Sequence, residues 1–127
     1  MHIAKQFSTH LSGMSLTSSS VLSGGALDLI ADWFRALSEP SRLRIIRALE
    51  GGDKNINELA DATGLTQGNV SRHVQSLVDA GIVGRRREGI STVCFIADKT
   101  IVDLCENVCA SIQQRLANQA QRLIGPA

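Results

Sequence analysis

No stretch of this 127-residue chain is apolar for long enough to cross a bilayer. An export signal is missing as well, since Lys5 is followed by Gln6, Ser8, Thr9 and His10 and not by an unbroken apolar run. A cytoplasmic protein without a membrane partner is therefore expected. Cysteines number three, an odd count that cannot pair within one chain, and a reducing compartment favours free thiols over a disulfide framework. Charge of either sign is not in excess. With a formal net charge of +1, no overall field draws the chain to nucleic acid, so a case for that partner rests on where the basic residues sit. Catalytic signatures are absent: His2, His10 and His73 are scattered, no glycine pattern cradles a phosphate, and no carboxylate pair is set around a cleft. An enzyme is not expected, and no cofactor is required. What is present is an ordinary globular composition, 43% hydrophobic and 20% charged, in a length that suits one compact domain.

Residues 1–24 are rich in Ser, Thr and Gly, lead into Gly25 and show no sustained period. A flexible arm is expected there, although Ile3, Phe7, Leu11, Met14 and Leu16 could form a turn or two of amphipathic helix against a partner subunit. The folded domain is placed at 25–124 and a short tail at 125–127. A first helix from about Ala26 to Leu37 puts Leu29, Ile30, Trp33, Phe34 and Leu37 on one face, read as core. Ser38, Glu39 and Pro40 break and restart the chain, since proline suits a first helical turn. A second helix then runs to about Leu49 and stops at Gly51 and Gly52. Asn55 and Glu58 have the spacing of a capping box for a third, short helix carrying Ile56, Leu59 and Ala60, which Gly64 ends. Thr66 caps a fourth helix from about Gln67 to Ala80, with Gly81 as its left-handed exit. Two strands, Ile82 to Arg87 and Ser91 to Ile96, flank Glu88, Gly89 and Ile90 as a hairpin. A final helix from about Lys99 to Ile124 follows Asp98.

The third and fourth helices, joined around Gly64, have the spacing of a helix-turn-helix. Ala60 keeps the crossing close and Gly64 permits the sharp turn. Val70, Val74, Leu77 and Val78 fall on one face of the fourth helix, leaving Gly68, Asn69, Arg72, Gln75 and Asp79 outside. Asn and Gln can pair bidentately with adenine and Arg with guanine in the major groove, and the helix N-terminus favours phosphate. The hairpin that follows carries Arg85, Arg86 and Arg87 and reads as a wing over flanking phosphate or minor groove. Between residues 66 and 97, Arg72 and the triplet oppose only Asp79 and Glu88, a local excess of about two charges. Thr66, Gln67, Asn69, Ser71, Arg72, Gln75, Arg85, Arg86 and Arg87 are the candidate contacts to double-stranded DNA. His73, behind this surface, reads as a packed or phosphate-facing residue. The fold class is mainly α with a small β-hairpin, a winged helix-turn-helix.

The chain resembles the ArsR/SmtB family of metal- and thiol-responsive repressors. Four segments carry the resemblance: Leu37-Ser38-Glu39-Pro40-Ser41-Arg42-Leu43-Arg44-Ile45-Ile46; Glu58-Leu59-Ala60 through Gly64-Leu65-Thr66-Gln67; Asn69-Val70-Ser71-Arg72-His73-Val74; and Ala80-Gly81-Ile82-Val83 with Arg86-Arg87-Glu88-Gly89. The likeness spans about residues 27 to 124. It implies a homodimer, joined through the first and last helices, that sits on promoter DNA and leaves when an inducer binds.

In the last helix, Val102, Cys105, Cys109, Ile112, Leu116 and Leu123 follow steps of three and four, with Ala120 in the gap, as an interface with a second copy would. Cys105 and Cys109 either pack in that seam as small hydrophobes or form a thiol site. At positions i and i+4 their Cβ atoms stand about 5–6 Å apart, within reach of one soft ion but too far for an easy disulfide. Thiolates without histidine favour As(III), Sb(III), Hg(II), Cu(I) or Cd(II). Asp103 and Glu106 stand here without the histidine that zinc-sensing members of the resembled family place on this helix. Asn57 through Asp61 hold no thiol, where many arsenic- and cadmium-responsive members carry a cysteine pair. A trigonal As(III) site would need Cys94, or a cysteine of a second chain, as third ligand; Val93, Cys94, Phe95 and Ile96 also read as a buried strand. A redox or reactive-sulfur sensor using the same thiols is the other reading.

Overall fold

The computed structural model describes residues 24–124. The expected arm through residue 23 and the tail at 125–127 lie outside them. The chain divides into two compact units, one ending at Ala97 and the other beginning at Asp98.

The first unit opens with α1, Gly24–Ala36. It begins two residues before the expected Ala26, so Gly24 and Gly25 occupy a first turn whose N–H groups lack helical partners in any case. The face read as core is only part covered in the single chain, where Ile30, Trp33 and Leu37 are half-buried. Leu29 is 37% and Phe34 52% exposed, and Ala36 is the helix's one buried residue. The periodicity was real, but a period specifies a face and not what covers it. Trp33 meets Phe34 edge-on with centroids 5.2 Å apart.

A dense set of caps joins α1 to α2, Pro40–Glu50. The Glu39 carboxylate accepts the Arg42 N–H at 3.2 Å, and Pro40 fills the first turn. Arg42 Nε donates to the Ala36 carbonyl at 2.7 Å and Ser38 Oγ to the Arg35 carbonyl at 2.7 Å, which satisfies the open end of α1. The capping box of α3, Ile56–Thr63, forms as expected: Asn55 Oδ1 accepts the Glu58 N–H at 2.8 Å, and Glu58 Oε1 accepts the Asn55 N–H at 2.9 Å. Gly64 takes φ 76° and donates to the Ala60 carbonyl at 2.9 Å, turning the chain toward α4, Gln67–Asp79. Thr66 Oγ1 accepts the Asn69 N–H at 3.2 Å. Each such cap contributes about 1 kcal/mol.

Helices α2, α3 and α4 pack on one another around Ile45, Ile46, Leu49, Leu59, Val70, Val74, Leu77 and Val78, all buried. Burying each Ile, Leu or Val contributes about 1.5–3 kcal/mol, so this triangle anchors the exposed outer face of α4. The sheet contains one strand more than the expected hairpin. β1, Lys54–Asn55, pairs antiparallel with β3, Ser91–Ile96, which in turn pairs with β2, Val83–Glu88, giving the order β1-β3-β2. A two-residue strand is too short to show a period of two, and β1 also serves as the entry to α3. The second unit is α5, Thr100–Ile124, with Asp98 Oδ1 accepting the Thr100 N–H at 3.0 Å. No helix among the described residues is long and apolar enough to cross a membrane.

Candidate nucleic-acid interface

Burial on α4 follows the expected division. Val70, His73, Val74, Leu77 and Val78 are buried, while Gln67, Gly68, Asn69, Ser71, Arg72 and Gln75 are exposed, as is Thr66 at the cap. His73 is thus a packed residue. Its Nε2 lies 3.6 Å from Glu39 Oε2, and its buried Nδ1 has no hydrogen-bond partner among the described residues. The exposed side chains are linked to one another. Arg72 Nη2 donates to Asn69 Oδ1 at 3.1 Å, which places an amide and a guanidinium side by side one turn into the helix. Such a pair offers free donors from both groups to a base edge in the major groove. Gln75 is engaged at both ends: its Nε2 donates to Asp79 Oδ1 at 2.8 Å and its Oε1 accepts from Arg85 Nη2 at 2.9 Å.

The arginine triplet does not act as one patch. Successive side chains of a strand point to opposite faces, and the triplet lies wholly within β2. Arg85 and Arg87 therefore share one face, and Arg85 reaches α4. Arg86 points the other way. Its Nη1 donates to Asp53 Oδ2 at 2.9 Å, its Nε donates to Glu88 Oε2 at 2.6 Å, and its guanidinium lies 5.6 Å from the Phe95 ring centroid. Hydrogen bonds to Asp53 first and Glu88 second hold its pKa still further above the ordinary guanidinium value. A cation bonded to two carboxylates is occupied within the wing, and Arg86 is set apart from the exposed face that Arg87 shares with Arg85.

Gly84 completes this outer face. A Cβ there would come within 2.4 Å of Phe95 Cζ, so only glycine lets the ring lie over the strand. Asp53, Gly84 and Phe95 were not singled out from the sequence. A glycine inside a strand is the one local signal for such a close approach. The hairpin itself turns at Gly89, φ 63°, with Ile90 fully in solvent.

The cysteines occupy three different environments. Cys94 is fully buried on β3, opposite Arg85 in register, and desolvation pushes its thiol pKa up against the opposing pull of Arg85. Cys105 is half-buried and Cys109 exposed, one turn apart on α5. Among the described residues, no group of three or more His, Cys, Asp or Glu side chains is assembled as a metal site. Val108, Ile112, Leu116 and Leu123 are all exposed on α5, with Leu116 at 58%.

A short helix, a left-handed glycine turn, an exposed polar helix and an antiparallel wing together define a winged helix-turn-helix DNA-binding protein. Residues 39–84 match the bacterial regulatory proteins of the arsR family. The "Probable mercury resistance operon repressor" of Streptomyces lividans is 35% identical over 77 residues, 61% of this chain and 62% of that protein. An uncharacterized HTH-type transcriptional regulator of Mycobacterium tuberculosis is 35% identical over 77 residues, 60% of this chain and 68% of that one. Among solved structures, the homodimeric winged helix-turn-helix DNA-binding domain of a Mycobacterium bovis protein superposes with a TM-score of 0.70 at 27% identity, covering 82% of this chain and 94% of that one. The antimony-specific transcriptional repressor AntR superposes with a TM-score of 0.67 at 25% identity, covering 82% and 98%. The chain belongs to the ArsR family, which is a family of transcriptional regulators and not of enzymes.

Proposed function

We propose that this chain is a homodimeric repressor that occupies promoter DNA and is released when a thiol-binding inducer, a soft metal or metalloid ion, reaches Cys105 and Cys109. The observation that carries the DNA half is the exposed Thr66 to Gln75 surface of α4, held on a buried core and flanked by Arg85 and Arg87. In this reading Asn69 and Arg72 face bases, while Thr66, Gln67 and Ser71 face phosphate at the entry of the helix. Two exposed apolar surfaces support pairing with a second copy: Leu27, Leu29 and Phe34 on α1, and Val108, Ile112 and Leu116 on α5. The homodimeric M. bovis domain supports it as well.

Support for the inducer comes from two thiols one helical turn apart, Cys105 half-buried and Cys109 exposed, on a helix that also exposes Val108, Ile112 and Leu116. Relatives named for mercury and for antimony agree with a soft ion. As(III) or Sb(III) would take a third thiolate, supplied by the second subunit. Cys94, buried and with its thiol pKa pushed up by desolvation, is assigned to the core in this proposal. Ion binding in the interface would change the angle between subunits, so that two recognition helices no longer match half-sites one DNA turn apart. Exposure of Cys109 favours a second reading, in which the inducer is a sulfane-sulfur donor that passes its outer sulfur to the thiolate and leaves as the reduced thiol, or a peroxide that takes two electrons from one thiol of each subunit to give an intersubunit disulfide and water.

A gel-shift titration on the protein's own upstream DNA tests both halves. Salt-sensitive, sequence-selective binding is expected, with Arg72→Ala weakening it by about 1–3 kcal/mol and relaxing base preference. Release by As(III), Sb(III) or Hg(II) should vanish in Cys105→Ser and Cys109→Ser while DNA binding persists. Equal affinity for scrambled DNA would remove the repressor, and release of both cysteine variants would remove the thiol site.

A further inference from the structure

We infer that Gln75 is a positioning residue and not a base reader: it fastens Arg85 of the wing to the recognition helix, so that wing and helix meet DNA as one preorganised element. The inference rests on the DNA-binding reading above and assigns a role within that surface.

Three residues form a directed chain. Arg85 Nη2 donates to Gln75 Oε1 at 2.9 Å, and Gln75 Nε2 donates to Asp79 Oδ1 at 2.8 Å. The direction is fixed by chemistry. A flipped amide would set its NH2 against a guanidinium that can only donate and its oxygen against a carboxylate that only accepts. Reading adenine requires the same two amide atoms together on one base edge, which would give up the bonds to the wing and to Asp79. Asn69 differs, because only its oxygen is engaged, and by a neighbour on the same face.

The chain also accounts for Asp79. This carboxylate lies in the last turn of α4, the end at which the helix dipole disfavours negative charge. The Gln75 amide and the Arg85 cation beyond it offset that placement. Arg85 gains as well. A free arginine loses considerable rotamer freedom on docking, whereas one already held by a side-chain bond has less to lose and keeps its remaining N–H donors for a phosphate. This side-chain bond joins β2 to α4 beside the buried strand residue Val83, and so helps set the register of the wing's cationic face relative to the recognition helix.

The test is affinity, measured with salt series and a set of single-base operator variants, for Gln75→Ala, Arg85→Ala, the double variant of these two, and Gln75→Glu combined with Asp79→Asn. Gln75→Ala should weaken binding by a factor within about 2- to 150-fold, the span of coupling between contacting side chains, and equally for every operator variant. Arg85→Ala should lower the salt slope by about 1. Adding Gln75→Ala to it should cost nothing more. The swap pair keeps the net charge and rebuilds the chain, because the amide introduced at 79 donates to the carboxylate introduced at 75, which accepts from Arg85. It should bind within about 3-fold of the native protein with an unchanged base profile, since both links of the chain persist. A carboxylate cannot donate to adenine N7, so a base-reading Gln75 would lose its preference in the swap. Loss of preference at one operator position in Gln75→Ala or in the swap, or additive losses in the Gln75–Arg85 double variant, would overturn the inference alone. Absence of selective binding by the native protein would overturn the DNA-binding reading and this inference with it.

Discussion

Replacing Gly84 by alanine tests whether the outer face of the wing is as tightly built as its geometry indicates. The new methyl would stand 2.4 Å from Phe95 Cζ and 2.6 Å from Cε2, more than 1 Å inside ordinary contact, so the ring must leave its place. Overpacking of this kind costs about 1–3 kcal/mol. Displacing the ring also removes the Arg86 guanidinium from its face, worth about 0.5–1 kcal/mol at an exposed site. Against this, alanine restricts the unfolded chain and returns about 0.4–1 kcal/mol, since Gly84 does not have a positive φ that would penalise a side chain. The steric term wins, leaving a net loss of about 1–3 kcal/mol. For a domain of this size that lowers Tm by roughly 4–12 °C, read at fixed protomer concentration by circular dichroism. Phe95→Ala should absorb the penalty, so the double variant should be no less stable than Phe95→Ala alone. A Gly84→Ala melt within about 1 °C of the native protein would refute the reasoning, as would an undiminished penalty in the Phe95→Ala background.

His73→Leu should raise the urea midpoint by the equivalent of about 0.5–2 kcal/mol, because it removes a buried Nδ1 with no partner among the described residues and gives up only a 3.6 Å contact to Glu39; a lowered midpoint would mean that Nδ1 is satisfied in solution. Arg87→Ala should weaken DNA binding uniformly and lower the salt slope by about 1, whereas Arg86→Ala should leave the slope unchanged and lower thermal stability, and the opposite pattern in a salt series would reverse these roles. Cys94 has a folded-state pKa raised by burial, so its contribution to stability is complete below the ordinary thiol range and is lost as pH rises through that range toward the folded value; Cys94→Ala should flatten the alkaline decline of Tm, and native Cys94 should resist thiol reagents that label Cys109.

Local signals in the sequence located the elements that depend on local chemistry. Asn55 with Glu58, Gly64 and Thr66 each act within a few residues, and the bonds they imply are present at the expected positions. The period of α4 also separated its buried and exposed faces correctly, because a helix packed against two others within the same unit must bury one stripe. The period of α1 was equally clear, yet its apolar face is only part covered in the single chain, with Ile30, Trp33 and Leu37 half-buried and Leu29 and Phe34 exposed. Contacts between distant residues left no trace. Asp53 meets Arg86 across 33 positions, β1 finds β3 across about 40, and neither partner shows a pattern on its own. Gly84 was the missed opportunity, since a glycine in a strand flags a close approach although it cannot name Phe95.

The triplet of arginines shows how counting charge along a sequence differs from placing it on a surface. Four arginines between residues 66 and 97 oppose Asp79 and Glu88, but Asp53, outside that window, joins Glu88 on Arg86 alone. That one arginine carries two carboxylates, while Arg72 and Arg85 are held by neutral amides and stay cationic toward solvent. In the proposed reading, the cationic charge that these segments offer to DNA therefore comes from Arg72, Arg85 and Arg87. In the proposed dimer that makes about six phosphate-competent arginines from these segments instead of about eight, or a slope of log affinity against log salt nearer −5 than −7 if all of them meet phosphate. Arg72 spends its charge on a base in the proposed reading, which lowers the figure further, toward −4. An overall net charge of +1 is thus compatible with firm DNA binding, because strand alternation and one acidic clamp leave Arg85 and Arg87 on the surface proposed to meet DNA.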